Sequence, residues 1–482
     1  MDILDKYEVV VGLEVHAQLL TKSKAFCSDA TDFGSSPNTQ ISPITLGHPG
    51  TLPKYNKKAL EYAIKMGLAC HCDITEVNIF ARKNYFYADL PKGYQISQFN
   101  TPLCTGGYVE IETEEGKKQI ALTRIHLEED AGKSIHDIDP YFSLIDLNRA
   151  GVPLIEIVTE PDIRSSDEAY QYLTEVRKLV RYIDICDGNM EEGSMRCDAN
   201  VSVRIKGETK LGNKVEVKNM NSIRNVKRAI DFEVRRQVEM IEKGEIIAQD
   251  TRSFDAVNGT TFSLRSKELA HDYRYFPEPD LPPLVVSKAM VDNVRKDMPA
   301  LPKELLQKFQ HEYGLSEYDA KVLTDEKEVA QYFLELTTET KNYKSAANWV
   351  MVNVKGWLNE NAKEMSAFPV SAKMLAALIL LIDSGKVSNS SASQKIFPVL
   401  IENPKAEPEH LAQQMNLIQQ SDVGALNELV QQAIAKYPAK VQEYKDGKKG
   451  LMGLFMGEVM KLSKGTADPK VATQLLAEAL EK

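Results

Sequence analysis

The segment YFPEPDLPPL, Tyr275–Leu284, carries four prolines in ten residues. Proline lacks a backbone N–H and fixes its own φ, so this stretch cannot continue a helix or a central strand and reads as an extended connector. The chain differs in kind on its two sides. Before about residue 290, YEVVVGLEVHAQL, GYVEIET, QIALTRIHLE, SLIDL, PLIEIVTE, NVSVRI and KVEVKN alternate or run in short apolar stretches between turn residues, which is strand patterning. Two helices interrupt it. Ser165 and Glu168 form a capping box for a helix through roughly Tyr182, and Ile223, Val226, Ile230, Val234 and Ile241 give a helical face that Gly244 stops. The fold class this implies is α+β. Beyond the prolines, ELLQKFQHEYGL, EVAQYFLEL, AANWVMVNVKGWLNEN and AKMLAALILLI recur at helical spacing. A break at Asn403–His410 sets off a final helical piece, in which Gly450, Gly453 and Gly457 are expected to permit close helix contact. The expected division is therefore residues 1–292, 293–405 and 406–482.

Three stretches of the strand-rich part, GLEVH ending at His16, HLEEDAGK from His126 and DLNRAGVPLIEI from Asp146, place acids inside apolar sequence. A carboxylate on an inward-facing position needs a metal, a base or a ligand beside it, because an uncompensated buried charge costs several kcal/mol. Glu14 and His16, two apart in an extended segment, point to one side, and Glu156 is the single charge of PLIEIV. Two compensators fit: a hard divalent cation such as Mg2+, held by a few acids from separate strands, or internal pairing with Arg124, Lys133 or Arg149. Three such stretches together favour a site.

The 482 residues, 43% of them hydrophobic, exceed what one core serves and supply two or three. Six scattered cysteines, and an N-terminus without the basic and apolar regions of a signal peptide, read as a reduced, cytoplasmic protein. The longest apolar run, Met374–Ile382, is too short to span a bilayer and reads as a buried helix, so no membrane association is expected. A formal charge of −10 argues against overall positive potential, yet Lys436, Lys440, Lys445, Lys448, Lys449, Lys461, Lys464 and Lys470 crowd the C-terminal piece. That density fits either phosphate contacts or an ordinary solvated helix face. Other motifs fail. EEDAGKS has Leu127 where a P-loop needs its first glycine, KLSKG from Lys461 has no Rossmann unit around it, and Cys70-His71-Cys72 is too tight for one metal. No nucleophile elbow is present.

Taken in order, GLEVHAQL from Gly12, RKNYFYADLPKGYQISQF from Arg82, HLEEDAGKS from His126, DLNRAGVPLIEIVTEPDIRS from Asp146, MEEGSMRCDANVSVR from Met190, EVKNMNSIRNVKRAI from Glu216 and DYRYFPEPDLPPL from Asp272 resemble the B subunit of the bacterial glutamyl/aspartyl-tRNA amidotransferases. The tail YKDGKKGLMGLFMGEVMKLSKGTADP resembles the helical domain that closes that subunit. The resemblance implies a cradle-shaped α+β catalytic domain, then helices, then a tRNA-binding tail. It implies the kinase half of a three-part enzyme: ATP phosphorylates the side-chain carboxylate of misacylated Glu-tRNA(Gln) or Asp-tRNA(Asn), and ammonia from a separate amidase (A) subunit displaces phosphate. A small C subunit ties the two together. The rival reading is a noncatalytic tRNA-binding scaffold.

Carried onto this chain, the resemblance implies catalytic groups at Glu14, His16, Glu128 or Glu129, and Glu156, with Mg2+ on Glu14, His16, Glu129 and Glu156. It implies ATP or substrate contacts from Arg82, Lys83, Arg124, Lys133, Asn148, Arg149 and Arg196, and tRNA contacts from Lys445, Lys448, Lys449, Lys461 and Lys464. Asn84, Tyr85 and Tyr87 read either as hydrogen-bonding and stacking groups or as strand core, and Arg274 and Tyr275 as loop anchors. Arg196, Asp198 and Asn200 share a strand face, where Arg196 either lines the cavity or pairs with Asp198. One departure stands out. Many members carry a four-cysteine zinc site, and here only Cys27 remains, with Asp29, Ser42 and Thr45 at the other positions. Zinc is therefore not expected, and turn hydrogen bonds are expected to hold that loop.

Overall fold

Alternation organises the first half of the chain. In the computed structural model, which describes residues 3–266, 273–418, 423–463 and 467–481, the sequence's strand-like runs become strands that pair antiparallel in all but one case, the longest of them with opposite chemistry on their two faces. In chain order these are β1 (Tyr7–Gln18), β2 (Asp73–Ile74), β3 (Val77–Asn78), β4 (Ala81–Asn84), β5 (Tyr94–Ser97) and β6 (Cys104–Thr105). There follow β7 (Tyr108–Thr113), β8 (Gly116–Glu129), β9 (Lys133–Ile135), β10 (Leu144–Asp146) and β11 (Pro153–Thr159). The set closes with β12 (Met195–Ile205), β13 (Val215–Met220), β14 (Asp250–Asp255), β15 (Thr260–Ser266), β16 (Phe276–Pro277) and β17 (Leu284–Val285). One ten-stranded sheet runs β15-β14-β13-β12-β1-β11-β8-β6-β2, with β7 also on β8.

Odd-numbered residues of the central strands, among them Leu13, Val15, Ile155, Ile157, Ile125, Leu127, Ala199 and Val217, enter one continuous core. Helices α1 (Lys57–Ala69), α2 (Ser166–Tyr182) and α3 (Ile223–Glu242) cover that face with residues such as Ile64, Tyr172, Val176, Val226 and Ile230. Ser165 caps α2 by accepting from the Glu168 amide at 3.1 Å. The returning half of the capping box is displaced by one residue, since the Glu168 carboxylate accepts from the Arg164 amide and from Lys118, each at 2.7 Å. Gly244, at φ +77°, follows α3 where the periodicity requires a stop. The remaining face of the sheet carries the even-numbered, polar residues.

The proline segment is extended but is more than a connector. Phe276–Pro277 pairs with Ala81–Arg82, and Leu284–Val285 pairs with Val77–Asn78, both at edges where a missing N–H costs nothing. Helix α4 (Lys288–Lys296) then packs on α1. The chain divides into two compact units only after Leu301.

The second unit, from Pro302, is helical in its described residues. The run Met374–Ile382 lies in the helix Ala372–Asp383, with Leu375, Leu378, Ile379 and Leu381 buried. Among the described residues, no helix is long and apolar enough to cross a membrane. The C-terminal helices close their own core around Leu426, Val430, Phe455, Val459, Leu476 and Leu480. Gly450, Gly453 and Gly457 do not serve helix contact there: a Cβ at any of them would meet no described atom within 4 Å. Gly453 and Gly457 face outward because Phe455, Glu458 and Val459 occupy the inward side of the helix Met452–Leu462, and Gly450 lies in the turn before it.

Candidate active site

Register brings the polar residues into rows. His16 stands opposite Arg196 on β12 and Glu156 on β11, and Glu156 stands opposite His126 on β8. Residues directly opposite one another in an antiparallel pair put their side chains on the same face. The His16 ring nitrogen Nε2 lies 3.4 Å from Glu156 Oε2, and His126 Nε2 lies 3.6 Å from the same oxygen. Glu128, two residues along β8, joins them: its Oε1 is 3.1 Å from His126 Nε2 and accepts from the Ser97 hydroxyl at 2.6 Å, while Gln95 Nε2 donates to Oε2 at 3.0 Å. Arg124 Nε donates to His126 Nδ1 at 3.3 Å, which leaves the ring proton on Nε2, facing Glu128. One donor atom each from His16, Glu128 and Glu156 fit within 4.8 Å of one another.

A second group adjoins the first. Glu14, Asp198 and Glu216, from β1, β12 and β13, also bring carboxylate oxygens within 4.8 Å of one another. Asn200 Nδ2 donates to Glu14 Oε1 at 2.9 Å, and Thr251 Oγ1 to Glu216 Oε2 at 2.9 Å. Lys218 bridges Asp198 and Glu216, at 3.0 Å from the latter.

The electrostatics follow from crowding. Burial pushes the Glu14 carboxyl above the usual range, and the charge of Glu156 adds to it. Burial acts upward on Glu156 too, but the electrostatic effect of the His126 ring, the His16 hydrogen bond and the His16 charge overcome it and hold Glu156 below the usual range. Burial lowers His16, and the Glu156 partnership more than reverses this. Lys83 is half-buried on β4; burial disfavours its charge, yet Glu128 and Glu156 hold it protonated well above its ordinary value.

The donor chemistry suits hard cations. Three carboxylates form an oxygen-only set of the type Mg2+ takes, and two carboxylates with an imidazole suit Mg2+ or Mn2+. An ion there would take the place of the His16 proton that now faces Glu156, with His16 Nε2 and oxygens of Glu128 and Glu156 as ligands and with Ser97 and Gln95 fixing the Glu128 carboxylate.

These residues have relatives with a shared name. The family described as the GatB/GatE catalytic domain matches residues 9–292, and the GatB domain matches residues 331–480. The chain belongs to the GatB/GatE family. The B subunit of the aspartyl/glutamyl-tRNA(Asn/Gln) amidotransferase of Thermodesulfovibrio yellowstonii is 49% identical over 477 residues, 99% of this chain and 100% of the relative. Proteins of the same name from Caldicellulosiruptor bescii and Geotalea uraniireducens are 49% and 50% identical over 480 and 478 residues. They cover 99% and 98% of this chain, and 100% and 99% of their own lengths. The GatB/GatE catalytic match spans both carboxylate groups.

Several residues expected at the site stand elsewhere. Glu129 alternates to the opposite side of β8 from Glu128, pairs with Lys92 and accepts from the Ile96 amide at 2.9 Å, so it is outside the His16 group. Arg82 turns from the cavity and forks onto Glu278. Arg149 donates to the carbonyls of Ala131 and Gly132 at 2.9 and 2.6 Å, clamping the turn after β8. Arg196 keeps its place opposite His16 but pairs with Asp130 at 2.9 Å and not with Asp198, which has Lys218. Asn148 ties two loops, accepting from the Gln40 amide and donating to the Ser36 carbonyl. Lys133 is exposed on the β9–β10 hairpin, and no described contact joins it to the carboxylates. Arg124 stays close, 4.0 Å from Glu156. The loop that has Cys27 without its three companion cysteines is held by hydrogen bonds: Thr45 Oγ1 donates to Asp29 at 2.5 Å and lies 3.5 Å from Cys27 Sγ.

Sequence reasoning passes over Glu216 and Lys218, although KVEVKN places them two apart on the polar face of a strand. It also passes over Lys24. That lysine is wholly buried with its ammonium on the carbonyls of Gln40 and Leu147, and a KSK triplet in a loop gives no sign of this.

Proposed function

We propose that this chain is the carboxylate-activating subunit of a tRNA-dependent amidotransferase, working with an amidase subunit and a small third subunit. The γ-phosphoryl group of ATP passes to the side-chain carboxylate of Glu-tRNA(Gln) or Asp-tRNA(Asn), releasing ADP. Ammonia from the amidase subunit then attacks the acyl carbon, and inorganic phosphate leaves. The observation that carries this reading is the pair of adjoining donor trios, His16, Glu128 and Glu156 beside Glu14, Asp198 and Glu216, on one sheet face. The names of the full-length relatives support it.

Phosphoryl transfer depends mainly on positioning and charge compensation. Mg2+ on either trio supplies neutralisation of phosphate oxygens when bound. The chain's own cations act from fixed places: Arg124 at the edge of the Glu156 row, Lys83 held protonated above it and Lys218 between Asp198 and Glu216. The catalytic part covers residues 1–292 and the tail residues 406–482. The separate core around Phe455 and the exposure of Lys445, Lys448, Lys449 and Lys461 support a tRNA-contacting tail; Lys464 lies outside the described residues.

The test uses the chain assembled with its partner subunits, Glu-tRNA(Gln), ATP and Mg2+. ADP formation is expected, and Glu156→Gln should reduce it by at least about 100-fold while leaving tRNA affinity intact. Full ADP formation by that variant refutes the reading, and tRNA binding without any ADP from the wild type favours a scaffold.

A further inference from the structure

On the side of the large sheet that α3 covers, away from the trios, that helix carries a carboxylate with no exposed surface. Glu233 accepts from Arg236 Nε at 3.0 and 3.1 Å, from Gln237 Nε2 at 3.0 Å and from the Thr261 hydroxyl at 3.1 Å, and Arg252 Nε lies 3.6 Å away. Arg252 in turn donates twice to Thr261, from Nε to the hydroxyl and from Nη2 to the carbonyl, both at 2.8 Å. We propose that Glu233 is a positioning residue for the cation of the second trio: it fixes β14 on β13, so that Thr251 holds the Glu216 carboxylate ready for the ion. The proposal rests on the reading of Glu14, Asp198 and Glu216 as cation ligands.

Three observations carry it. First, Thr251 and Arg252 are neighbours on one strand and point to its opposite faces. Arg252 enters the Glu233 cage, while Thr251, 2% exposed, donates its hydroxyl to Glu216 Oε2 at 2.9 Å on the side of the trio. Second, β14 is weakly registered by its backbone. Among the described strand pairs β13–β14 alone is parallel, and the two meet only as Glu216–Thr251, Val217–Arg252 and Lys218–Ser253. Parallel bonds are slanted and slightly less stable per residue. The antiparallel pairing of β14 with β15 shifts register between Thr251 and Arg252, an irregularity of the kind that re-aims side chains beside active sites. Third, stability alone does not account for the cage. A carboxylate held dry between two guanidinium groups gains little over apolar packing of similar volume, and the best-attested use of such buried ions is to set register.

The contacts therefore run in series from helix to ion site. Glu233 sets Arg252, Arg252 sets the height of β14, and Thr251 sets Glu216. The other oxygen of Glu216, Oε1, already lies 3.0 Å from the Lys218 ammonium. Without Thr251 in place, that carboxylate is free to turn both oxygens onto Lys218 and away from an ion. Partners that orient a ligand in this way typically matter by about 10–100-fold in metal affinity.

The test is Mn2+ binding to the full chain, followed by electron paramagnetic resonance, with Glu216→Gln marking the class of site that belongs to the second trio. Thr251→Val should weaken that class by about tenfold, and Thr251→Ser should restore it. Glu233→Gln should weaken the same class by a similar factor and leave the His16 class near wild type. Combined with Thr251→Val it should add nothing, because both act through one hydrogen bond. Arg252→Lys keeps the charge but loses the double contact with Thr261, and carries the same expectation if Glu233→Gln does not fold. A lowered urea midpoint with Mn2+ binding unchanged, in folded Glu233→Gln or Arg252→Lys, makes the cage a structural part only and overturns the proposal. Fully additive losses in the double variant overturn it as well. A wild type with no class of site sensitive to Glu216→Gln removes the cation reading of the second trio, and the proposal with it.

Discussion

The guanidinium of Arg82 grips the carboxylate of Glu278 with two parallel bonds, Nε to Oε2 at 2.7 Å and Nη2 to Oε1 at 2.8 Å, and Glu278 has no exposed side-chain surface. The same guanidinium lies 4.1 Å from the centre of the Tyr94 ring and 3.1 Å from Asp280. This fork stitches the proline segment to β4. Removing Arg82 leaves a buried carboxylate with the Asp280 amide, 3.0 Å from Oε1, but without its cation. Arg82→Ala should destabilise the first unit by about 3–5 kcal/mol, read as a lower midpoint in urea unfolding. Arg82→Lys should recover only part, since one ammonium cannot make the fork. A normal midpoint combined with a raised KM for ATP would return Arg82 to the substrate.

Asp130 follows β8 and is buried. Burial pushes its carboxyl up, but the charges of Arg196 and Arg149 and the hydrogen bonds from Arg196 and Gln18 pull it below the usual range. A depressed folded pKa means that the unfolded chain binds the proton more readily. The stabilisation is therefore complete above the unfolded value of about 3.9 and is lost as pH falls through the folded one. The stability difference between wild type and Asp130→Asn should be flat from about pH 5 to 8 and shrink below about pH 4. A difference that instead widened on acidification would contradict this sign.

What the sequence discloses and withholds divides by distance along the chain. Glu14 and His16 are legible because strand parity is local, and the caps at Ser165 and Gly244 are legible for the same reason. Strand parity also separates Glu128 from Glu129, but it does not say which of the two faces the cavity; that needs the register of β8 on β11, where His126 meets Glu156. Arg82 looks like a substrate clamp in the sequence because its partner lies 196 residues away. Lys218 and Glu216 look like ordinary edge charges until β13 lies beside β12. The proline segment is legible as extended, yet a rule about missing N–H groups cannot reveal that its carbonyls and its remaining amides find β3 and β4.

The tail lysines differ in their commitments. Lys436 is tied to buried Glu458 at 2.6 Å, and Tyr437 reaches the same carboxylate at 3.0 Å, so Lys436→Ala should loosen the tail rather than weaken RNA binding directly. Lys440 and Lys448 share Glu443, and Lys449 covers the Tyr444 ring at 4.2 Å. Replacing Lys445, Lys448, Lys449 and Lys461 together by Ala should lower tRNA affinity and flatten its salt dependence, by about 0.7–0.9 in log–log slope for each phosphate that is no longer neutralised. Filter binding across a salt series measures it, and an unchanged slope would reduce these lysines to a solvated helix face.

The neighbours Glu128 and Glu129 offer the sharpest discrimination, because they differ in position by one residue and in surroundings entirely. Glu128 faces His16 and Glu156 with Ser97 and Gln95 fixing its oxygens, whereas Glu129 faces Lys92 and the Ile96 amide. Mn2+ binding followed by electron paramagnetic resonance needs no turnover and no partner substrate. Glu128→Gln keeps the size and one acceptor but removes the charge, and should weaken the ion held with His16 by roughly 10–100-fold. Glu129→Gln should leave that affinity near the wild-type value, while unpairing Lys92 and lowering stability. Equal losses of Mn2+ from both variants would mean that β8 presents the two acids to one ion. The reverse ranking would place the cation on the Lys92 side of the strand, where Glu129 alone among the two carboxylates can reach it.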